Sequence, residues 1–334
     1  WTRVTNPNPN PPPLPGEELV VPAKSMLSLA RRARGGLRSG AYFGFRGVSG
    51  GREEKRISRV ALSGSGWLLP FHIGACQAMK ELELVDEKTE YCGASGGSLI
   101  ATGAVLDIPT DKMMEYVLDL AKWYRSEGGF GKLENELRKR FKDILPPNAT
   151  DSLNGRLHVS VLPLTPQNRL NQRIISSFES DSDLLDALIT SSFIPLYLGP
   201  SFATKFRDEW CVDGGLGNIV PRFEGAITVC PIPFTGPKVH PAHPMRLVAK
   251  NVNISPDNVR SFGNLGKETG SDADEVETSF NSEKMTAGGM EIPSLSKMLM
   301  HCFVPEDEQS LRNYFELGVE SVKIWAKDPT APSQ

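Results

Sequence analysis

Gly93-Ala94-Ser95-Gly96-Gly97 follows a short β-like run, Thr89 to Gly93, and precedes Ser98-Leu99-Ile100-Ala101-Thr102, which has helical character. This is the G-x-S-x-G pattern of a nucleophile elbow, a tight strand-to-helix turn that lifts a serine Oγ clear of its neighbours. Gly93 and Gly97 flank the serine and let backbone segments pass where a Cβ would clash. The helix that starts at Ser95 points its amide dipoles at the place where an oxyanion develops on attack. Read alone, five small residues also suit an ordinary loop, so the surroundings decide.

Upstream, Arg59 to Ser63 reads as a buried strand running into Gly64-Ser65-Gly66, and helical spacing follows from Phe71 to Leu82. A glycine-rich turn between strand and helix presents backbone N–H groups that suit a phosphate or a tetrahedral oxyanion equally. A dinucleotide fingerprint wants a glycine where Leu69 stands and an acid at the end of the second strand, whereas Asp86 precedes that strand. That strand delivers Ser95 instead, which disfavours nucleotide binding.

Downstream, Trp210-Cys211-Val212-Asp213-Gly214-Gly215 breaks a short apolar run into glycines, and an Asp-Gly pair is commonly only a turn. Asp213 gains interest because Ser95 needs a group to accept its proton. Histidine is the usual choice, and a carboxylate serves where desolvation raises its pKa toward neutrality. The five histidines fit poorly: His72 lies on the first helix, His158 in a strand-like run, His240 and His243 in a proline-laden loop, and His301 in an apolar helical stretch. The last three follow Asp213, so a Ser, Asp, His order stays formally available.

In order and spacing, Gly64-Ser65-Gly66, Gly93-Ala94-Ser95-Gly96-Gly97 and Asp213-Gly214-Gly215 resemble the patatin-like phospholipases. Tyr91 to Ala104, Gly155-Arg156-Leu157, Ser192-Phe193-Ile194-Pro195-Leu196-Tyr197 and Ile227-Thr228-Val229 resemble the adiponutrin and adipose triglyceride lipase branch. The likeness runs from about residue 58 to about 235 and resumes at Leu295-Ser296-Lys297-Met298 and the helix after Pro305. It implies a dyad without histidine, Ser95 as nucleophile and Asp213 as general base, with backbone amides around Gly64, Ser65 and Gly66 as the oxyanion hole. It further implies hydrolysis of carboxylic esters of triacylglycerol or glycerophospholipid at a membrane or lipid-droplet surface, with no cofactor and no metal. Two alternatives stay open: an acyltransferase using lysolipid or diacylglycerol in place of water, and a lipid-surface binding protein with a vestigial pocket. The family's loop carries a third glycine where this chain has Leu69, which leaves the helix packing behind the loop undecided.

The chain has 334 residues, 39% of them hydrophobic, enough for a large core, and its net charge of −3 offers nucleic acid no global attraction. Five cysteines without C-x-x-C spacing disfavour a disulfide framework or a zinc site and fit a reducing, intracellular compartment. Val60 to Met79 carries no charge and is long enough to nominate a membrane span, but Pro70, His72 and the early glycines and serines favour a buried strand, turn and helix. Trp67, Leu68, Leu69, Pro70 and Phe71 suit an acyl slot, a lipid contact or the core.

The expected fold class is α/β, a three-layer α/β/α patatin-like domain with a largely parallel central sheet and its nucleophile at the carboxyl end of a strand. The expected division is a proline-rich then basic leader (1–56), the catalytic domain (57–235), a proline-rich and acidic loop region (236–292) and C-terminal helices packing on the catalytic domain (293–328). Leu19 to Arg52 holds seven basic residues and no acidic one, a pattern shared by organelle-targeting segments, membrane-surface segments and solvated leaders. The opening Trp1 is expected of a processed or partial amino terminus. Helices are expected over Thr110 to Arg125, Gly131 to Leu145, Ser182 to Ser191, Ser294 to Phe303 and Glu306 to Lys327. Strands are expected over Arg156 to Leu164, Arg169 to Phe178 and Ala226 to Cys230. The sequence identifies no protein activator.

Overall fold

Three apolar runs become adjacent parallel strands, β1 (Arg59–Leu62), β2 (Glu90–Ala94) and β3 (Leu157–Pro163), in a computed structural model that describes residues 56–165, 171–233, 252–259, 284–287 and 290–331. Nearly every residue of these strands is buried, which is why their sequences run apolar without alternation. β7 (Ile227–Val229) joins β1 in parallel on its free edge. On the other side, β4 (Arg173–Ile175) and β6 (Glu209–Asp213) both pair antiparallel with β3, and β5 (Thr204–Phe206) pairs antiparallel with β6. The strand order is β5-β6-β3-β2-β1-β7, a mixed sheet with a parallel centre and helices on its flanks.

The antiparallel end of the sheet has a local cause. Arg207 and Asp208 join β5 to β6 with φ of 45° and 66°, the left-handed pair that closes a two-residue hairpin. Neither residue is the glycine or asparagine that signals such a turn, so the sequence does not advertise it.

The helices are α1 (Leu69–Glu81), α2 (Gly96–Val105), α3 (Thr110–Glu127), α4 (Leu133–Ile144), α5 (Ala149–Leu153), α6 (Asp181–Ser191), α7 (Leu295–His301) and α8 (Glu308–Lys327). α2 packs on β1, β2 and β3, and α6 on β3, β5 and β6. The uncharged run from Val60 to Met79 resolves into β1, a turn and α1, and among the described residues no helix is long and apolar enough to cross a membrane. The region expected to be loop, 236–292, contains a hairpin of β8 (Lys284–Ala287) and β9 (Met290–Pro293). The basic leader and the acidic stretch of 267–283 lie outside the described residues.

Leu69 opens α1 and is buried, facing Leu99, Ile100 and Met113 across an apolar cavity of about 80 Å³. Trp67, Leu68, Pro70 and Phe71 are buried too, so the apolar residues after the loop belong to the core. The close helix approach falls one turn further on, where α1 crosses α8. A Cβ on Gly74 would stand 2.0 Å from the Phe315 carbonyl oxygen, and a Cβ on Gly318 would stand 2.0 Å from the Phe71 carbonyl oxygen. Each helix thus presents a glycine to the other's backbone, which fixes α8 against the helix that begins at the glycine loop.

Gly318→Ala gains helix propensity but forces the two backbones apart, so the net effect is overpacking. Urea denaturation is expected to show a loss of about 1–3 kcal/mol. An unchanged midpoint would mean that the crossing is not tight.

Candidate active site

Ser95 sits between β2 and α2 at φ 52° and ψ −132°, a conformation that residues with a side chain rarely adopt. Its backbone is held from several directions. The Ser95 N–H donates to Ser191 Oγ at 3.0 Å, and the Ser191 hydroxyl donates in turn to the Ser160 carbonyl at 2.7 Å. The Ser95 carbonyl accepts both the N–H of Ser98, at 2.8 Å, and its hydroxyl, at 2.7 Å. The flanking glycines are required by contact, because a Cβ on Gly93 would lie 2.4 Å from Ser98 Cα and one on Gly97 would lie 2.3 Å from the Ser63 carbonyl oxygen.

Strand register brings the aspartate to this turn. Ala94 at the end of β2 pairs with Ser160 of β3, and Val161 pairs with Asp213 at the end of β6. Because β6 runs opposite to β3, its carboxyl end meets β3 beside Ser160, at the height of the elbow. The Asp213 N–H donates to the Phe193 carbonyl at 2.9 Å, and Oδ1 accepts the Gly215 N–H at 2.6 Å. Asp213 is 3% exposed, and its Oδ2 is buried with no hydrogen-bond partner. Burial pushes the carboxyl up to about 7, while the neighbouring Ser95 hydroxyl and the Gly215 N–H pull it the other way. The Ser95 hydroxyl therefore lies beside the carboxyl without closing a full hydrogen bond to it.

A clamp that the sequence does not reveal holds the turn after Asp213. Gln172 Nε2 donates to Ser160 Oγ at 2.9 Å and to the Asn218 carbonyl at 3.2 Å, and its Oε1 accepts the Arg222 N–H at 2.7 Å. Ser160 is thus shared by the Ser95 turn, through Ser191, and by the Asp213 turn, through Gln172.

The glycine loop differs from expectation at one position. The Gly64 N–H donates to the Ile219 carbonyl at 2.7 Å, so Gly64 contributes space and not a donor. A Cβ there would stand 3.7 Å from both Ser95 Cβ and Gly215 Cα. The N–H groups of Ser65 and Gly66 have no acceptor among the described residues and remain open. Behind them the Trp67 N–H donates to the Cys302 carbonyl, the Trp67 indole to Tyr197 Oη, and the Tyr197 hydroxyl to the Phe303 carbonyl, at 3.2, 2.8 and 2.6 Å.

The described histidines have other partners. His72 is buried against the Ser63 carbonyl at 3.0 Å with its pKa lowered by burial to about 4, and His158 meets Glu90 at 2.9 Å. His301 bridges Tyr314 and Glu306 at 2.7 and 2.8 Å. His240 and His243 lie outside the described residues.

A patatin-like phospholipase family model matches residues 60–224. The chain is 32% identical over 187 residues to human patatin-like phospholipase domain-containing protein 4, covering 53% of this chain and 72% of that protein. The protein belongs to the patatin-like phospholipase family. Relatives within it carry different activities in their names. A mouse 1-acylglycerol-3-phosphate O-acyltransferase is 30% identical over 190 residues, 55% of this chain and 45% of that protein. A mouse omega-hydroxyceramide transacylase is 28% identical over 170 residues, 48% of this chain and 28% of that protein. The matched part thus spans less than half the length of either transferase.

Two outcomes follow from the geometry. Ser191→Ala leaves the Ser95 N–H buried without an acceptor and is expected to lower stability by about 1–3 kcal/mol in chemical denaturation. For Asp213, the native state keeps a proton that the unfolded chain has lost between about pH 4 and about pH 7, so stability falls as pH rises through that window and stays lowered above it. Melting curves of Asp213→Asn should therefore gain on wild type across that window and run parallel above it.

Proposed function

We propose that this protein is a lipid acyl hydrolase that cleaves carboxylic esters of triacylglycerol or glycerophospholipid through a Ser95/Asp213 dyad. The observation that carries this reading is a buried carboxyl poised near pH 7 beside a serine on a strained elbow. A base whose pKa matches the working pH combines a useful ionised fraction with enough basicity to take the proton. Ser95 Oγ attacks the carbonyl carbon while Asp213 takes its proton, and the charge on the former carbonyl oxygen meets the open N–H groups of Ser65 and Gly66. Collapse expels the alcohol with the proton from Asp213 and leaves an acyl-Ser95. Water deprotonated by Asp213 then releases the acid and restores the serine.

Family membership supports lipid as the substrate class, and so does the surface next to the loop. Phe130 and Phe303, 64% and 48% exposed, pack edge-on against Tyr197 at 5.6 and 5.8 Å, and Val304 is 56% exposed beside Phe303. An apolar rim next to the catalytic loop suits peripheral docking on an intracellular membrane or lipid droplet. Acyl transfer is the second reading, favoured by the acyltransferase and transacylase relatives. Product analysis with and without lysolipid or diacylglycerol separates the two.

Ser95→Ala and Asp213→Asn are each expected to lower kcat on a medium-chain ester by about a thousandfold or more, and full activity in either variant would overturn the dyad. In wild type, kcat/KM should rise with pH through about 7 and then level off, because only ionised Asp213 accepts the proton.

A further inference from the structure

We infer that the Ser65 hydroxyl is a third hydrogen-bond donor to the oxyanion, acting beside the N–H groups of Ser65 and Gly66. The inference rests on the reading of Ser95 as nucleophile. Ser65 is 2% exposed and its Oγ is buried with no hydrogen-bond partner. A buried hydroxyl without a partner forfeits the hydrogen bonds it made to water, and native interiors rarely tolerate this without a use. Four other buried hydroxyls around the elbow are satisfied: Ser63 donates to the Gly64 carbonyl, Ser98 to the Ser95 carbonyl and Ser191 to the Ser160 carbonyl, while Ser160 accepts from Gln172. Ser192 Oγ, one residue beyond Ser191, is a second buried hydroxyl without a partner, but it does not belong to the glycine loop.

The orphan hydroxyl stands beside the elbow. A Cβ on Gly96 would lie 2.6 Å from Ser65 Oγ, so the hydroxyl stands over the first residue of α2, next to the nucleophile. Gly96 must lack a side chain for it to stand there. Gly64, on the other side of Ser65 in the chain, lies against Ser95 Cβ. The hydroxyl is therefore framed by the elbow and by the two open amides.

Charge makes a third donor useful. No Lys, Arg, Asp or Glu occurs from Val60 to Met79 or from Tyr91 to Leu106, so neither the loop and α1 up to Met79 nor the elbow and α2 supplies a side-chain cation. These segments can meet an oxyanion only with dipoles, and the Gly64 N–H is already engaged. As the Ser95 Oγ–carbon bond forms, the carbonyl π pair moves onto oxygen and Asp213 takes the serine proton. Ser65 keeps its own proton and only hydrogen-bonds that oxygen. When the bond to the alcohol breaks, the pair returns to the carbonyl and the proton on Asp213 leaves with the alcohol.

The test measures the full chain on a soluble medium-chain nitrophenyl ester with Ser65→Ala, Ser65→Gly and Ser65→Thr, with Ser95→Ala alongside. Ala and Gly should lower kcat by about a hundredfold, with KM within about threefold of wild type. Thr, which keeps the hydroxyl, should retain most of the activity. The rate of Ser95 labelling by a fluorophosphonate should fall with kcat, because the phosphoryl oxygen takes the place of the oxyanion. Melting temperature should hold or rise in Ala, since an unpartnered hydroxyl is removed. A structural peg would instead lower melting temperature and raise KM, and that outcome overturns the proposal. Normal kcat in Ala and Gly with an inactive Ser95→Ala also overturns it while leaving the hydrolase reading intact. Activity in Ser95→Ala removes the nucleophile and, with it, both readings.

Discussion

The short antiparallel pairing of β6 with β3 is the constraint on which the site depends. Ser95 and Asp213 come from strands separated by β3, and their meeting is fixed by two register pairs, Ala94 with Ser160 and Val161 with Asp213. Side chains alternate between the faces of a sheet, so a slip of one residue in β6 would send the carboxylate to the opposite face. The hydrogen bonds that secure this register are in the interior. Ser160 is fully buried and is bonded both to Ser191, which holds the elbow, and to Gln172, which holds the turn after Asp213.

The same burial that fixes the geometry sets the electrostatics. Asp213 has lost water and gained no cation among the described residues, so burial pushes its carboxyl up to about 7. The neighbouring segments present oriented dipoles: two open loop amides, the amino end of α2 and the Ser65 hydroxyl. Strain at Ser95 is accompanied by an unpartnered carboxylate oxygen on Asp213 and an unpartnered hydroxyl on Ser65. Each opposes folding.

The scaffold behind the loop comes from the other end of the chain. The family match ends at residue 224, yet α8 crosses α1 through reciprocal glycine contacts, and the turn after α7 accepts the Trp67 N–H. The glycine loop and the helix after it are thus braced by residues around 302 and 318. Tight helix packing is supplied at Gly74, and Leu69 is free to fill the core.

Much of this was legible in the primary structure. Glycine spacing around Ser95, the uncharged strands and the helical periodicities are local properties, set by backbone sterics and by which faces must leave water. They determined the parallel centre of the sheet and the position of the elbow at a strand's end. The β5–β6 hairpin was not readable, because Arg207 and Asp208 adopt left-handed conformations that their side chains do not favour. Nor could residue order reveal that the Gly64 amide is already engaged, that Gln172 and Ser191 clamp the two turns, or that the Ser65 hydroxyl has no partner. Those facts depend on which distant backbone atoms come within hydrogen-bond range. That is decided by the packing of the whole chain at once, since each contact is possible only after the others have fixed strand register and helix crossing.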